Sequence, residues 1–320
     1  MGGPENKSSG MTRREFNKTV ALFGVGALIN LVFGRALPQP TSGLEIELPP
    51  DGDSAKRLLL LADVHIGNTN RSLLRQINTH AASQLQSTVN QMKDKYFDWV
   101  IQLGDLISEA GNENTNIKNY KKGLEIINHM HSPVINIPGN HDIWGIGTAR
   151  LSQTLQELGY NMPLYGVKEI SPNCQIVWLD LAAKKREIGV LPDERIDWLR
   201  EVIHPDTPTI IFSHYGFLPP DTEGNYYYEK DREAATFSNG PQAWRYLRDL
   251  PIRAVVSAHL HEETFSIVGH TNMLTIPSFT ENIASHIPAI PGVYSILEVT
   301  DSRLNLKSYC GKYCFSSMSL

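Results

Sequence analysis

Short apolar runs, separated by longer stretches with helical spacing, set the rhythm of this chain. Arg57 to Ala62 is apolar without alternation, which predicts a strand buried on both faces. Residues 71–96 then place apolar side chains at helical spacing. The same alternation continues with a strand from Trp99 to Leu103, a helix from Ile117 to Met130 and a strand from Pro133 to Ile137. A helix from Thr148 to Leu158 and a strand from Gln175 to Leu181 follow. Pro192 then opens a helix at its first turn, where its missing N–H costs little. Thr209 to Phe212 is a strand, Gln242 to Leu250 a helix and Arg253 to Ser257 a strand. Beyond that point the helical signals stop, and Thr264 to Ile276 and Val293 to Tyr309 alternate as strands do. Strands alternating with helices, then a strand-rich tail, predict an α/β protein of mixed sheets packed together. The long stretch from Tyr215 to Gly240 lacks periodicity and is rich in Pro, Gly, Asn and Tyr, which marks a functional or mobile loop.

At 320 residues, with 41% hydrophobic and 20% charged side chains, the chain suits one large globular domain. The formal net charge is −5. Residues 1–36 hold five basic and two acidic side chains, so that segment carries +3 and the remainder −8. An acidic body does not support a groove for nucleic-acid polymers. Three cysteines are too few for a disulfide framework. Cys310 and Cys314 are near enough in sequence to pair if the last turn is suitably folded, and Cys174 is left over.

The front of the chain carries an address. Thr12-Arg13-Arg14-Glu15-Phe16-Asn17-Lys18 precedes an apolar run from Val20 to Gly34, too short and glycine-rich for a membrane span. Twin arginines before Phe and Lys resemble the signal of the twin-arginine export route, which carries folded proteins. Gly34-Arg35-Ala36 offers small residues for a signal peptidase, and Met11 offers a second start. The expected organisation is a signal peptide over 1–36, a Pro/Gly/Ser-containing linker over 37–55 and a catalytic domain over 56–320. The expected location is periplasmic or otherwise extracytoplasmic. The export machinery is then a partner, and membrane contact comes only through export or an uncleaved signal.

The chemistry follows the strand ends. After the first predicted strand come Asp63 and His65, after the second Gly104-Asp105, and after the third Gly139-Asn140-His141-Asp142. His214 follows the Thr209 strand, and His259 and His261 follow the Arg253 strand. Open α/β sheets bind ligands at the carboxyl ends of their strands, so five consecutive strand ends converge on one place. Imidazole with carboxylate, and no thiolate, suits Mn, Fe or Zn. With one histidine reserved for catalysis, two aspartates, one asparagine and four histidines are too many for one ion. Two divalent or trivalent ions sharing a carboxylate, about 3.5–4 Å apart, fit a site that clamps the attacking and leaving oxygens of a phosphoryl centre.

These blocks resemble the calcineurin-like metallophosphoesterase superfamily, whose pattern of Asp-x-His, Gly-Asp, Gly-Asn-His-Asp, a lone His and Gly-His-x-His covers positions 63 to 261 here. The flanking strands extend the likeness over roughly residues 56–310. The resemblance implies a four-layer β-sandwich of mixed sheets flanked by helices. It implies a first metal on Asp63, His65 and His261, a second on Asn140, His214 and His259, and Asp105 bridging them. His141 would lie outside the metals and protonate or stabilise the leaving oxygen, with Asp142 orienting its ring. Ala258 stands where the family usually has glycine, which only tightens a backbone turn. Ser108 stands where purple acid phosphatases carry their metal-binding tyrosine, which argues against that branch.

The expected activity is hydrolysis of phosphomonoesters or phosphodiesters, nucleotides among them, by in-line attack of a metal-bridging hydroxide. The alternative is a catalytically silent metal-binding scaffold of the same fold, against which His141 and Asp142 speak. In the long loop, Tyr226, Tyr227 and Tyr228 are either stacking surfaces for a nucleobase or plain packing. Asn282 and His286 are candidates to return near the site, and Trp144 is a core or rim aromatic.

Overall fold

The computed structural model describes residues 55–67, 80–109, 111–160, 162–183, 187–280 and 292–320. The signal segment, nearly all of the linker, the start of the helix predicted over 71–96, and Asn282 and His286 lie outside them.

Two six-stranded sheets face one another. In the first, β1 (Lys56–Leu61), β2 (Trp99–Gln102) and β3 (Val134–Asn136) run parallel, as apolar runs joined by helical crossovers should. β10 (Val293–Val299), β11 (Leu304–Cys310) and β12 (Tyr313–Ser319) continue that sheet antiparallel on the other side of β1, in the order β12-β11-β10-β1-β2-β3. The second sheet has the order β4-β5-β6-β7-β9-β8. Its strands are β4 (Gly166–Ser171), β5 (Cys174–Leu179), β6 (Thr209–Ser213), β7 (Ile252–Ser257), β8 (Thr264–Val268) and β9 (Thr271–Thr275).

The pleat decides which side chain enters which layer. Leu58 and Leu60 of β1 point into the space between the sheets, where they meet Ile101, Ile135, Ile176, Trp178, Ile210, Phe212 and Val256. Their neighbours Leu59 and Leu61 point the other way, toward helices α1 (Ala81–Met92) and α2 (Glu113–Asn128), whose Leu85, Val89, Tyr120 and Leu124 cover that face. The outer face of the second sheet packs Val177, Leu179, Ile211 and Val255 with residues of α5 (Asp193–Val202) and α6 (Gly240–Leu247). The stack is therefore helix, sheet, sheet, helix, the four-layer arrangement expected.

Several boundaries differ from the sequence reading for local reasons. α2 starts at Glu113 instead of Ile117, because Asn112 caps it by accepting from the Thr115 N–H at 3.0 Å. Pro192 is the residue before α5, not within it, and α6 runs from Gly240 to Leu247. Among the described residues, four elements were not foreseen: β4, β12, a 3₁₀ turn over Arg232–Ala235 and the seven-residue α3 (Asn140–Ile146), which precedes α4 (Thr148–Glu157). The three thiols are free. Register pairs Cys310 with position 313 and Tyr309 with Cys314, so the two late cysteines lie on opposite faces of the hairpin and do not meet.

Candidate metal centre

The carboxyl ends of β1, β2 and β3 deliver Asp63, Asp105 and Asn140 from the first sheet, and those of β6 and β7 deliver His214, His259 and His261 from the second. The centre therefore straddles the seam between the sheets. Backbone hydrogen bonds lock the two leading loops side by side: Asp63 N–H donates to Gly104 O, and His65 N–H to Asp105 O, each at 3.0 Å. Ser108, which lacks the tyrosine's ligand chemistry, donates its hydroxyl to His65 O at 3.2 Å. Ala258 N–H reaches His214 O at 3.0 Å and ties the β6 and β7 ends together, so alanine fits this turn.

Six non-glycine residues among those described have φ in the left-handed region, and five are predicted ligands: Asp63, His65, Asp105, His259 and His261. Such conformations cost of order 1–3 kcal/mol each and persist only where the surroundings impose them. Here the surroundings are visible. Ser278 and Thr280 both donate their hydroxyls to Asp63 O, at 3.0 and 3.1 Å, and His259 N–H donates to Asp63 Oδ2 at 3.3 Å.

Side-chain atoms converge as two groups that share no residue, bridged by a third of His65, Asp105 and His141. Asp63, His65 and His261 form one, with His65 Nε2 and His261 Nε2 3.2 Å apart and His261 Nε2 3.5 Å from Asp63 Oδ1. Asp105, His214 and His259 form the other, with His214 Nε2 3.4 Å from Asp105 Oδ2 and 3.0 Å from Asn140 Oδ1. Asp105 Oδ2 belongs to the second and to the third, since it also lies 3.9 Å from His65 Nε2. Its other oxygen accepts the His141 N–H at 2.8 Å.

The donor set fits cations. Burial pulls His65 and His259 well below the ordinary imidazole range, which leaves them neutral with a lone pair to offer. Asp63 Oδ1 is buried with no hydrogen-bond partner, the state of an oxygen that awaits a ligand. Against the upward push of burial, His214 and His141 hold Asp105 well below the carboxylate range. Burial opposes a proton on His214 too, yet the Asp105 carboxylate raises it to about 9. His214 Nδ1 lies 2.8 Å from Leu103 O, a carbonyl that can only accept, so Nδ1 carries a proton and Nε2 faces the group.

Of the nine predicted site residues, His141 alone keeps substantial exposure, 30% of its side chain. Its Nε2 stands 4.0 Å from Asp105 Oδ2, and its ring packs edge-on to His65 and tilted against Trp144. Trp144 is thus a rim aromatic beside His141. Asp142 departs from its expected part. Its carboxylate is turned away from the His141 ring and accepts backbone N–H groups of Leu106, Ile107 and Gly139 at 3.3, 3.0 and 2.9 Å. At the third position of α3 it faces the free N–H groups of that helix start, the usual seat of an acidic side chain. It splices the loop after β2 to the loop after β3. Burial, with Asp105 nearby, raises it to about 7 against the pull of the Gly139 and Ile107 N–H groups.

The long loop is packed onto the centre. Tyr215 lies against His259 with ring centroids 4.1 Å apart, Tyr227 against His261 at 5.2 Å, and Tyr228 against His259 at 5.0 Å. The nucleobase role considered for Tyr227 and Tyr228 therefore gives way to packing against the histidines, while Tyr226 stays exposed. Sequence reasoning missed Ser278, Thr280 and Asn225. The only signal was a run of small polar residues after an apolar strand, a pattern too common to single out.

Comparison with known proteins agrees with this geometry. The chain is 23% identical over 220 residues to a 3',5'-cyclic adenosine monophosphate phosphodiesterase, CpdA, of Haemophilus influenzae, covering 66% of this chain and 71% of that one. It is 29% identical over 161 residues to a probable glycerophosphodiester phosphodiesterase, GpdQ, of Arcobacter nitrofigilis, covering 48% and 55%. Its fold superposes on a dimetal phosphatase from Danio rerio with a TM-score of 0.64 at 16% identity, covering 83% of this chain and 99% of the other. The family model for calcineurin-like phosphoesterase matches residues 56–263, and the chain belongs to that family of metal-dependent phosphoesterases.

Proposed function

We propose that this protein is a dinuclear phosphodiesterase for small diesters, of the cyclic-nucleotide or glycerophosphodiester kind. The observation that supports two ions is Asp105 Oδ2, grouped with His214 and His259 on one side and 3.9 Å from His65 Nε2 on the other. Asp63, His65 and His261 would hold the first ion, Asn140, His214 and His259 the second, and Asp105 both. Two ions, when bound, supply Lewis-acid polarisation of the phosphoryl group and make hydroxide available near neutral pH. The two relatives named above carry phosphodiesterase names, which favours diesters over monoesters.

The chain's own contribution is placement and one proton. Asp142 fixes the Gly139 turn, so that His141 projects from the first residues of α3 toward solvent. From there the imidazole can donate a proton to the leaving oxygen, a role worth about 10²–10⁴-fold in rate. Left-handed backbone at five ligands aims their side chains inward without any adjustment on binding, which is the preorganisation that electrostatic catalysis needs.

The test compares bis-p-nitrophenyl phosphate with p-nitrophenyl phosphate on Mn²⁺-loaded protein, before and after EDTA. Faster, metal-dependent turnover of the diester is expected. A monoester preference would remove the diesterase reading, and no turnover with two ions bound would favour the silent scaffold. The proposed extracytoplasmic address rests on Arg13 and Arg14, and cell fractionation of the R13K/R14K chain would show retention if it is right.

A further inference from the structure

Within the long loop, Asn225 is buried and fully engaged. Its Oδ1 accepts the Tyr227 and Tyr228 N–H groups at 3.0 Å each, and its Nδ2 donates to Leu260 O at 3.0 Å. Leu260 is the residue between His259 and His261. The loop is thus fastened to the very segment that carries one ligand of each proposed ion. The fastening sets Tyr228 so that its hydroxyl lies 2.8 Å from His259 Nε2. Ala234 O, from the far end of the same loop, lies 3.1 Å from that nitrogen. A carbonyl only accepts, so Nε2 carries the proton and Nδ1 keeps the lone pair. Two oxygens from one loop therefore share one imidazole N–H.

We propose that Tyr228, held by Asn225, is a positioning residue that orients His259 through its Nε2–H and thereby sets the affinity of the second metal position. This inference rests on the dinuclear reading above. An outer partner that fixes the tautomer and aim of a ligating histidine raises its basicity, and losing one typically weakens metal binding 10–100-fold. Among the described residues, Tyr228 meets His259 through both its hydroxyl and its ring. The consequence for the hydroxyl is selective: it bears on the second ion, while the first-ion ligand His261 meets the ring of Tyr227 instead. Because Asn225 joins loop to ligand segment, any displacement of the loop is also a displacement of His259.

The experiment uses the full chain, stripped of metal and titrated with Mn²⁺, followed by calorimetry and by electron paramagnetic resonance. Wild type is expected to take up two ions and to develop the signal of a spin-coupled pair. Tyr228→Phe removes the hydroxyl and keeps the ring, and Asn225→Asp keeps the acceptor for both N–H groups while losing the donor to Leu260. Both variants are expected to bind the first ion as wild type does and the second about tenfold more weakly. At limiting Mn²⁺ their spectrum is then that of a single ion. Wild-type affinity at both positions in both variants would overturn the proposal, as would equal weakening of both positions, which marks a general loss of structure. Uptake of only one ion by wild type would instead sink the dinuclear reading itself, so the two failures are distinguishable.

Discussion

His141 is the one imidazole of the centre that combines exposure with nearness to Asp105 Oδ2, which is the ground for proposing it as a proton donor and not a ligand. His141→Ala is expected to lower turnover of the diester by about 10²–10⁴-fold while two ions remain bound, measured by steady-state rates beside metal analysis. Comparable turnover with both ions retained would remove His141 from its role. The proposed ligands were readable in sequence because each must follow a strand end, and strand ends are marked by the apolar run before them. Asp142 was readable as a site residue with a different part, whereas Asn225, Ser278 and Thr280 were not readable. Their decisive bonds go to backbone groups far away along the chain, as when Thr280 and Ser278 reach Asp63 O and Asn225 reaches Leu260 O, and nothing local distinguishes such a residue from any polar turn.

Loops that follow β2 and β3 approach so closely that only glycine fits at two points. Gly104 has φ +100° and lies under the His214 ring, while Gly139 lies against Asp105. A methyl at Gly104 would overlap that ring in a backbone conformation that L residues avoid, so both costs fall together. Gly104→Ala is expected to destabilise the metal-free protein by about 2–5 kcal/mol, read from urea unfolding, and to displace His214. A change under about 0.5 kcal/mol would mean that the seam between the sheets is looser than described. The same closeness explains which elements were foreseen. β1, β2 and β6 are buried on both faces and announce themselves as apolar runs. β4 is an edge strand carrying exposed Lys168 and Glu169, β12 is rich in serine, and α3 is too short for a helical period to show.

The molecule as a whole grades its three free thiols from buried Cys174 through half-buried Cys310 to exposed Cys314. Burial pushes the Cys310 thiol from 9.0 up to about 11, and raises Cys314 and Cys174 as well. A raised thiol favours the folded state below the ordinary thiol range, and that contribution is lost as pH climbs from 9 toward 11. The melting temperature is therefore expected to fall between pH 9 and pH 11, and less so in Cys310→Ser. An identical fall in that variant would assign the alkaline loss elsewhere. At pH 8, alkylation is expected to reach exposed Cys314 first and buried Cys174 last. The pairing of β1 with β10 has a further effect, on timing. Lys56 lies opposite Val299, roughly 240 residues later in synthesis, which at ~5–20 residues per second is a wait on the order of 10–50 s. Through that interval the apolar run Leu58–Leu61 has β2 on one side and no neighbour on the other, and the carboxylate of Asp63 at its end has no fixed place. Synthesis must pass Val299 before β1 gains its second neighbour, so a chaperone has a defined stretch, Leu58–Leu61, to guard until then.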